Sequence, residues 1–240
     1  MTHRVFTRIP PCDPKLITEI AEQSVADLHE AMDTIPGRMA LLDPAIRALT
    51  PGLRVAGQAV TVHTFPGDAL IVHEAIRHAE PGSVLVITSA GRSLSPMFAE
   101  LMSLAARERG VAGVIADGLI RDADALIECR FPVWCRGTYA GRPLKRGPGE
   151  INVPVVAGGV QIEPGDIIVA DTDGALRIPL AEAADVLDGA QKRATNEISI
   201  RAAIASGETL FDILGLQQAL DTADIKEFHC LWNEPPPGGN

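Results

Sequence analysis

The sequence predicts an α/β fold with a mixed central sheet and a long helix towards its C-terminal end. Three observations carry this. Helical and strand-like patterns alternate through the first half of the chain. Two continuous apolar runs of strand length, SVLVIT and VAGVIADG, read as strands covered on both faces. The second half is punctuated by Gly and Pro, and the turn Thr172-Asp173-Gly174 between DIIVAD and ALRIP is a strong hairpin signal. Nothing linker-like interrupts residues 1–220, which are expected to form one domain; residues 221–240 are read as a tail whose end, EPPPGGN, is expected to be disordered.

Taken in order, Asp13 and Pro14 give a helix cap followed by Pro at the first helical position, and apolar residues at Leu16, Ile17, Ile20, Val25 and Leu28 predict one amphipathic helix ending near Met32. The segment IPGRMALLDPAIRALTPG is expected to wrap the surface or meet another subunit. RVAGQAVTVHTF is the first strand, with Gly57 a candidate bulge. Helical period returns from Asp68 to Glu80, and SVLVIT follows. Ser95 and Pro96 again suggest a cap and first-turn Pro, opening a helix stopped by Gly110. Then come the strand VAGVIADG, ending at Asp117-Gly118, a short helix over 123–128 and the strand FPVWC. Residues 137–166 read as hairpins, DIIVAD and ALRIP as paired strands, and Leu180 to Ser206 as the long helix, stopped by Gly207.

Composition narrows the function classes. With 46% apolar and 22% charged residues among 240, the chain has a globular balance, and disordered or fibrous classes are excluded. Only six Phe, two Trp and one Tyr are present, so aliphatic side chains must fill the core. A net charge of −10 opposes binding to phosphate backbones, and no nucleic-acid partner is expected. No signal-type start and no 18-residue apolar run appears, so a cytoplasmic protein without membrane attachment is expected. Cys12, Cys129, Cys135 and Cys230 fit no zinc spacing and are expected to be free thiols, mostly buried.

Four stretches bear polar groups suited to chemistry. In PGDALIVHEAI, Asp68 caps a helix on the plainest reading, with His73 as a weak base or ligand candidate. The helix entry at Ser95–Met102 offers unpaired N–H groups to an anion, and follows a buried strand through a loop with Gly91 and Arg92, beyond the carboxyl ends of the strands. In ADGLIRDADALIE, Arg121 can fork onto a carboxylate and Asp122 can hold a divalent cation; the alternative is a surface Arg-Asp turn, with Asp124 and Glu128 solvated. Asp171 and Asp173 could ligate a metal, but hairpin-turn chemistry alone explains them.

The runs GLRVAGQAVTVHTFPGDALIVHEAI, GVAGVIADGLIRDADAL and PVVAGGVQIEPGDIIVADTDGALRIP resemble the RraA-like family. VADLHEAM and ALLDPAIRAL are similar to its class II pyruvate aldolase branch, which acts on 4-hydroxy-4-methyl-2-oxoglutarate and 4-carboxy-4-hydroxy-2-oxoadipate. The aldolase motif is an acidic residue, twenty residues, then Arg-Asp; here it is Glu100 followed by Arg121-Asp122. The resemblance covers residues 20–210 and implies an αββα sandwich or barrel-like sheet. It implies Asp122 as the direct ligand of Mg²⁺ or Mn²⁺. It assigns Arg121 to the substrate's 2-oxo group and the backbone of Ala99, Glu100, Leu101 and Met102 to its carboxylate, with Glu100 orienting water on the metal. It also implies a glutamate from a neighbouring subunit's C-terminal helix, here Glu197, and hence a homo-oligomer, a trimer or a hexamer of two trimers. Three positions depart from the family: Ala69 replaces Asn, Ala99 replaces Gly, and Glu100 stands where Asp is common.

The chemistry agrees with these roles. Cleaving a 4-hydroxy-2-oxo acid leaves pyruvate enolate, and without an imine-forming lysine a divalent metal must stabilise it; none of Lys15, Lys145, Lys192 and Lys226 lies in a buried apolar strand. The same enolate arises by decarboxylating oxaloacetate, so that side activity is expected. Two readings stand beside this one: another lyase or hydrolase acting on an oxo- or hydroxy-acid, and a non-catalytic binding protein resembling the ribonuclease-inhibiting members of the family. No Gly-rich loop follows the first strand, so nucleotide-cofactor chemistry is not expected.

Overall fold

Alternation along three neighbouring strands sets the layers. In the strand pair β3 (Val55–Thr64) and β4 (Val84–Ser89) and in β6 (Gly113–Ile120), successive buried side chains face opposite ways. Leu85, Ile87, Val114 and Ala116 face one core, whereas Val84, Val86 and Ile115 face another. The fold is a mixed α/β sheet with a long C-terminal helix. The computed structural model describes residues 3–32, 40–89, 95–223, 225, 228 and 230–233, and the chain divides into two units, 1–193 and 194–240.

In the first unit the sheet order is β1 (Arg4–Val5), β8 (Gly149–Ile151), β3, β4, β6, β7 (Val133–Thr138), β2 (Arg47–Ala48). β3, β4, β6 and β7 run parallel, while β8 and β2 pair antiparallel to β3 and β7. β5 (Pro96–Phe98) joins β6 in parallel. β11 (Ile167–Ala170) pairs antiparallel with β3 and with β12 (Ala175–Ile178). β9 (Val155–Ala157) and β10 (Val160–Ile162) form a separate hairpin turned at Gly158-Gly159. Helices α3 (Leu70–His78), α4 (Glu100–Glu108) and α5 (Ala123–Glu128) cover one face of the sheet with Ile71, Val72, Met102, Ala106 and Leu126. The β9–β10 hairpin and Leu42, Ile46 and Trp134 fill the other. A third cluster packs α1 (Pro14–Ala21) and α2 (Val25–Ala31) against β11, β12 and the start of α6 (Ala183–Ala205), which a 3₁₀ turn at Leu180–Glu182 precedes.

The second unit holds the end of α6 and two short helices, α7 (Leu210–Ile213) and α8 (Gln217–Thr222). None of its described residues is buried, and Ile198, Leu214, Leu231 and Trp232 are exposed. Gly207, in the left-handed region at φ 100°, follows α6 as expected. The end EPPPGGN lies outside the described residues.

The structure corrects six local expectations. The first helix is two, because Ser24 is extended and its hydroxyl caps α2 by accepting from Asp27 N at 3.0 Å. The N–H of Val25 turns to Asp171 Oδ2 at 2.9 Å. Ser95 and Pro96 do not open a helix: Pro96 to Phe98 pairs with β6, and α4 starts at Glu100 with Ala99 as its cap residue. Gly57 is no bulge, since its pairing with Ile168 lies in unbroken register; a Cβ there would overlap the carbonyl oxygen of Gly82. β6 does not end at Asp117-Gly118 but passes them through an irregularity to Ile120. The described large apolar residues of this segment, from 40 to 52, form no exposed patch: Leu42 and Ile46 are buried in the chain's own core, Leu49 packs on it, and Leu41 is exposed. Met39 lies outside the described residues. Of the four free cysteines, only Cys135 is buried.

Candidate active site

The site is assembled where β5 and β6 meet. Arg121 N donates to the carbonyl of Phe98 at 3.1 Å, so the residue that precedes Ala99 is fastened to the end of β6. Ala99 is extended (φ −159°, ψ 171°), a conformation open to any residue, so Ala stands there without backbone cost. No side chain caps α4. Its first N–H groups, those of Glu100 and Leu101, have no partner within the helix and carry the positive end of its dipole. Glu100 is half-buried at the first helical position.

Asp117 belongs to the scaffold. Its Oδ2 accepts from Gly158 N at 2.7 Å, and its other oxygen accepts from Arg136, which also reaches Asp43. Gly118 gives way to Met97, whose Cε stands 2.5 Å from where a Cβ would be. The strand then resumes and delivers Arg121 to the rim.

Asp122 takes the left-handed conformation (φ 60°, ψ 41°), which Asp tolerates better than most residues and which turns the chain from β6 into α5. It occupies the cap position of α5 without a capping hydrogen bond. Arg121 Nε donates to Asp122 Oδ1 at 3.1 Å and Nη1 to the carbonyl of Gly141 at 3.3 Å. Both side chains remain about one-third exposed, 33% and 31%. They open on a cleft of about 390 Å³ lined by Arg121, Asp122, Ala123, Thr138, Tyr139 and Ala140. Asp124 and Glu128, on α5, are exposed.

The other candidates separate from this cleft. Asp68 is buried with both oxygens used: Oδ1 accepts from Leu70 N at 2.8 Å and Oδ2 from Arg146 N at 2.7 Å. It thereby serves the start of α3, where the cap residue is Ala69 rather than a polar one. Asp171 serves the backbone with both oxygens, Oδ1 accepting from Asp173 N at 2.9 Å and Oδ2 from Val25 N; Asp173 is an exposed turn residue. His73 keeps a buried, unpartnered Nε2, and burial, with Lys145 nearby, holds its imidazole below the ordinary range. Gly91 and Arg92 lie outside the described residues. Glu197 belongs to the second unit, where it accepts from Arg201 Nη2 at 3.0 Å. Among the described residues no group of three or more His, Cys, Asp or Glu could enclose a metal ion.

Sequence reasoning missed Thr138, Tyr139 and Ala140. Thr138 ends β7 and Tyr139 and Ala140 follow it, at the carboxyl edge of the parallel strands, where α/β sheets bind ligands; placing them required knowing that β7 lies beside β6.

The RraA-like family profile, described as Aldolase/RraA, matches residues 25–177. A protein of Halalkalibacterium halodurans, whose name proposes a 4-hydroxy-4-methyl-2-oxoglutarate aldolase, is 35% identical over 189 residues, 79% of this chain and 88% of its own length. A crystal structure from Pseudomonas syringae pv. tomato superposes with a TM-score of 0.73 at 30% identity, covering 85% of this chain and 98% of the other. Streptomyces coelicolor RraAS2, titled an unusual member of the RNase ES inhibitor RraA protein family, superposes with a TM-score of 0.72 at 29% identity over 80% of this chain and 98% of the other.

Proposed function

The chain belongs to the RraA-like family, and from that premise we propose that it is a divalent-metal-dependent lyase. It cleaves a 4-hydroxy-2-oxo acid, of the 4-hydroxy-4-methyl-2-oxoglutarate or 4-carboxy-4-hydroxy-2-oxoadipate type, to pyruvate and a second oxo acid. The observation that carries the proposal is the placing of Arg121 and Asp122 on one cleft, with the uncapped amino end of α4 fastened to Arg121 through Phe98. An anion-holding helix end, a cationic fork and a carboxylate thus adjoin.

The bond broken is C3–C4 of the substrate. The C4 hydroxyl loses its proton, the departing fragment becomes an oxo acid, and the electron pair passes to C3 and the 2-oxygen as pyruvate enolate, which is then protonated at C3. The N–H groups at the start of α4 hold the C1 carboxylate. Arg121 faces the negative charge that grows on the 2-oxygen. Two of its five N–H donors are already fixed by Asp122 and Gly141, so little reorganisation accompanies the reaction. Glu100, half-buried at the first position of α4, would orient a water on the bound cation.

Asp122 fits a divalent cation. It supplies one hard carboxylate that capping leaves unused, and Mg²⁺ or Mn²⁺ takes one or two such ligands and fills its remaining positions with water and substrate oxygens. Such an ion supplies Lewis-acid stabilisation to the 2-oxo group. Imine catalysis needs a desolvated lysine, whereas Lys15, Lys145 and Lys192 are all exposed. Loss of CO₂ from oxaloacetate gives the same enolate and is the proposed side activity.

The working form is proposed to be a homo-oligomer, a trimer or hexamer, in which Glu197 reaches a neighbour's site. The unburied second unit that carries Glu197 supports this reading. A second reading, a ribonuclease-binding protein without catalysis, is favoured by the likeness to the Streptomyces coelicolor RraAS2 structure. Assaying pyruvate release from a panel of 4-hydroxy-2-oxo acids, with EDTA and then with Mg²⁺, separates the two. Metal-dependent release supports the lyase; none from any substrate at any metal concentration overturns it.

A further inference from the structure

Among the described residues lining the cleft, the one aromatic side chain, Tyr139, lies against the residue that holds the arginine. A Cβ built on Gly141 would overlap Tyr139 Cε1 and lie 2.8 Å from Cδ1, so the phenol ring occupies the space a side chain at 141 would need. Gly141 is not in the left-handed region; its φ suits Ala as well as Gly. The close approach of the ring is therefore what disfavours a side chain here, since a Cβ would push the ring or the 141 backbone aside. Gly141 offers its carbonyl to Arg121 Nη1 at 3.3 Å, and Tyr139 itself is anchored by its N–H donating to the carbonyl of Ile120 at 2.8 Å, one residue before Arg121. Ile120, Arg121, Tyr139 and Gly141 thus form a closed circuit: backbone to Tyr139, ring to Gly141, carbonyl to guanidinium, and back along the chain.

We infer that Tyr139 is a positioning residue for Arg121, acting through Gly141, and that its ring rather than its hydroxyl does this. The ring limits where the 141 carbonyl can lie, and that carbonyl together with Asp122 fixes the plane of the guanidinium. The consequence for turnover rests on the lyase reading above; the positioning itself does not.

Two measurements keep these apart. The first is the rate at which phenylglyoxal modifies Arg121, read by peptide mass spectrometry on the full-length protein without substrate. Tyr139→Ala and Gly141→Ala are both expected to raise the rate at least threefold, while Tyr139→Phe keeps the wild-type rate. Gly141→Ala retains the phenol but forces ring and 141 backbone apart, so acceleration in Tyr139→Ala alone would mean that the ring merely shields Arg121 and would overturn the inference, as would wild-type rates in both. Acceleration in Tyr139→Phe would transfer the role to the hydroxyl and overturn it equally. Circular dichroism and the labelling rate of Arg136, held by Asp43 and Asp117, report whether a variant is folded; Gly141→Ala alone still decides the matter should Tyr139→Ala fail to fold. The second measurement is steady-state pyruvate release. Tyr139→Ala is expected to lower kcat at least tenfold with KM changed less than threefold, and Tyr139→Phe to restore kcat. Absence of turnover in the wild type would sink the lyase reading while the labelling rates still decide the positioning.

Discussion

The carbonyl of Phe98 and the backbone N–H of Arg121, 3.1 Å apart, are the joint on which the site depends. The bond ties the last residue of β5, one before the cap of α4, to the backbone of Arg121 just past the end of β6, although twenty-two residues lie between them in the chain. On the proposed reading, a substrate carboxylate at that helix end would be presented to the arginine by the backbone.

Metal removal tests Asp122. EDTA is expected to abolish pyruvate release and Mg²⁺ or Mn²⁺ to restore it. Asp122→Ala should lose at least a hundredfold in kcat/KM without rescue at ordinary metal concentrations. Full activity in EDTA, with borohydride trapping pyruvate on a lysine, would be inconsistent with the assignment.

Arg121→Lys separates enolate stabilisation from anchoring. Lysine keeps the charge but lacks the planar fork that meets Asp122 and Gly141 together. Removing one preorganised donor of this kind costs about 3 kcal/mol of transition-state stabilisation, roughly a hundredfold. That loss should fall on kcat, with KM nearly unchanged. Steady-state kinetics giving the reverse pattern would make Arg121 a binding residue only.

Gly57→Ala probes the sheet. Its Cβ would overlap Gly82 O, which is backbone and cannot swing aside, so overpacking of about 2 kcal/mol is expected. The loss should appear in urea unfolding as a lower midpoint with an unchanged slope. An unchanged midpoint would show that the 82 turn yields freely.

The pH dependence of stability should carry a signature of His73. Burial and Lys145 lower its pKa in the folded chain. The unfolded chain therefore binds a proton more readily, and stability falls as pH drops below the ordinary histidine range, down to the lowered folded value. His73→Leu should flatten the urea midpoint between about pH 7 and the onset of carboxylate titration near pH 5. An identical slope in the variant would assign the loss to other groups.

What was legible in the sequence follows from how local the physics is. Asp13-Pro14, Gly110 and the Asp171–Gly174 turn act through neighbouring backbone groups, and the structure keeps each as read. The continuous runs SVLVIT and VAGVIADG declared two-faced burial. Ser95-Pro96 misled because the same residue pair suits a helix start or a strand, and only pairing with Leu119 and Ile120 decides. Leu42 and Ile46 looked like a surface patch because their cover, the β9–β10 hairpin and Trp134, lies some ninety to one hundred and twenty residues away. Arg121-Asp122 stood out by residue type, while Tyr139 and Gly141, which act by shape, left no signal.

Subunit sharing is tested by complementation. The exposed-loop argument for assembly fails, since Leu42 and Ile46 are buried in the chain's own core, and the case now rests on the second unit. There Ile198 is 70% exposed on the helix that carries Glu197, and no described residue of the unit is buried. The proposed assembly would cover apolar surface of this kind, and a heterologous contact repeated around a ring gives cyclic symmetry, of which the proposed trimer is one case. Asp122→Ala and Glu197→Ala subunits, each inactive alone, should regain partial activity when mixed by denaturation and joint refolding. With statistical mixing, some sites join an intact Asp122 on one chain to an intact Glu197 on the next, whereas sites within single chains would all stay defective. Sedimentation must show the mixed oligomers. A monomer at assay concentration, or silent mixed oligomers, would remove Glu197 from a neighbour's site.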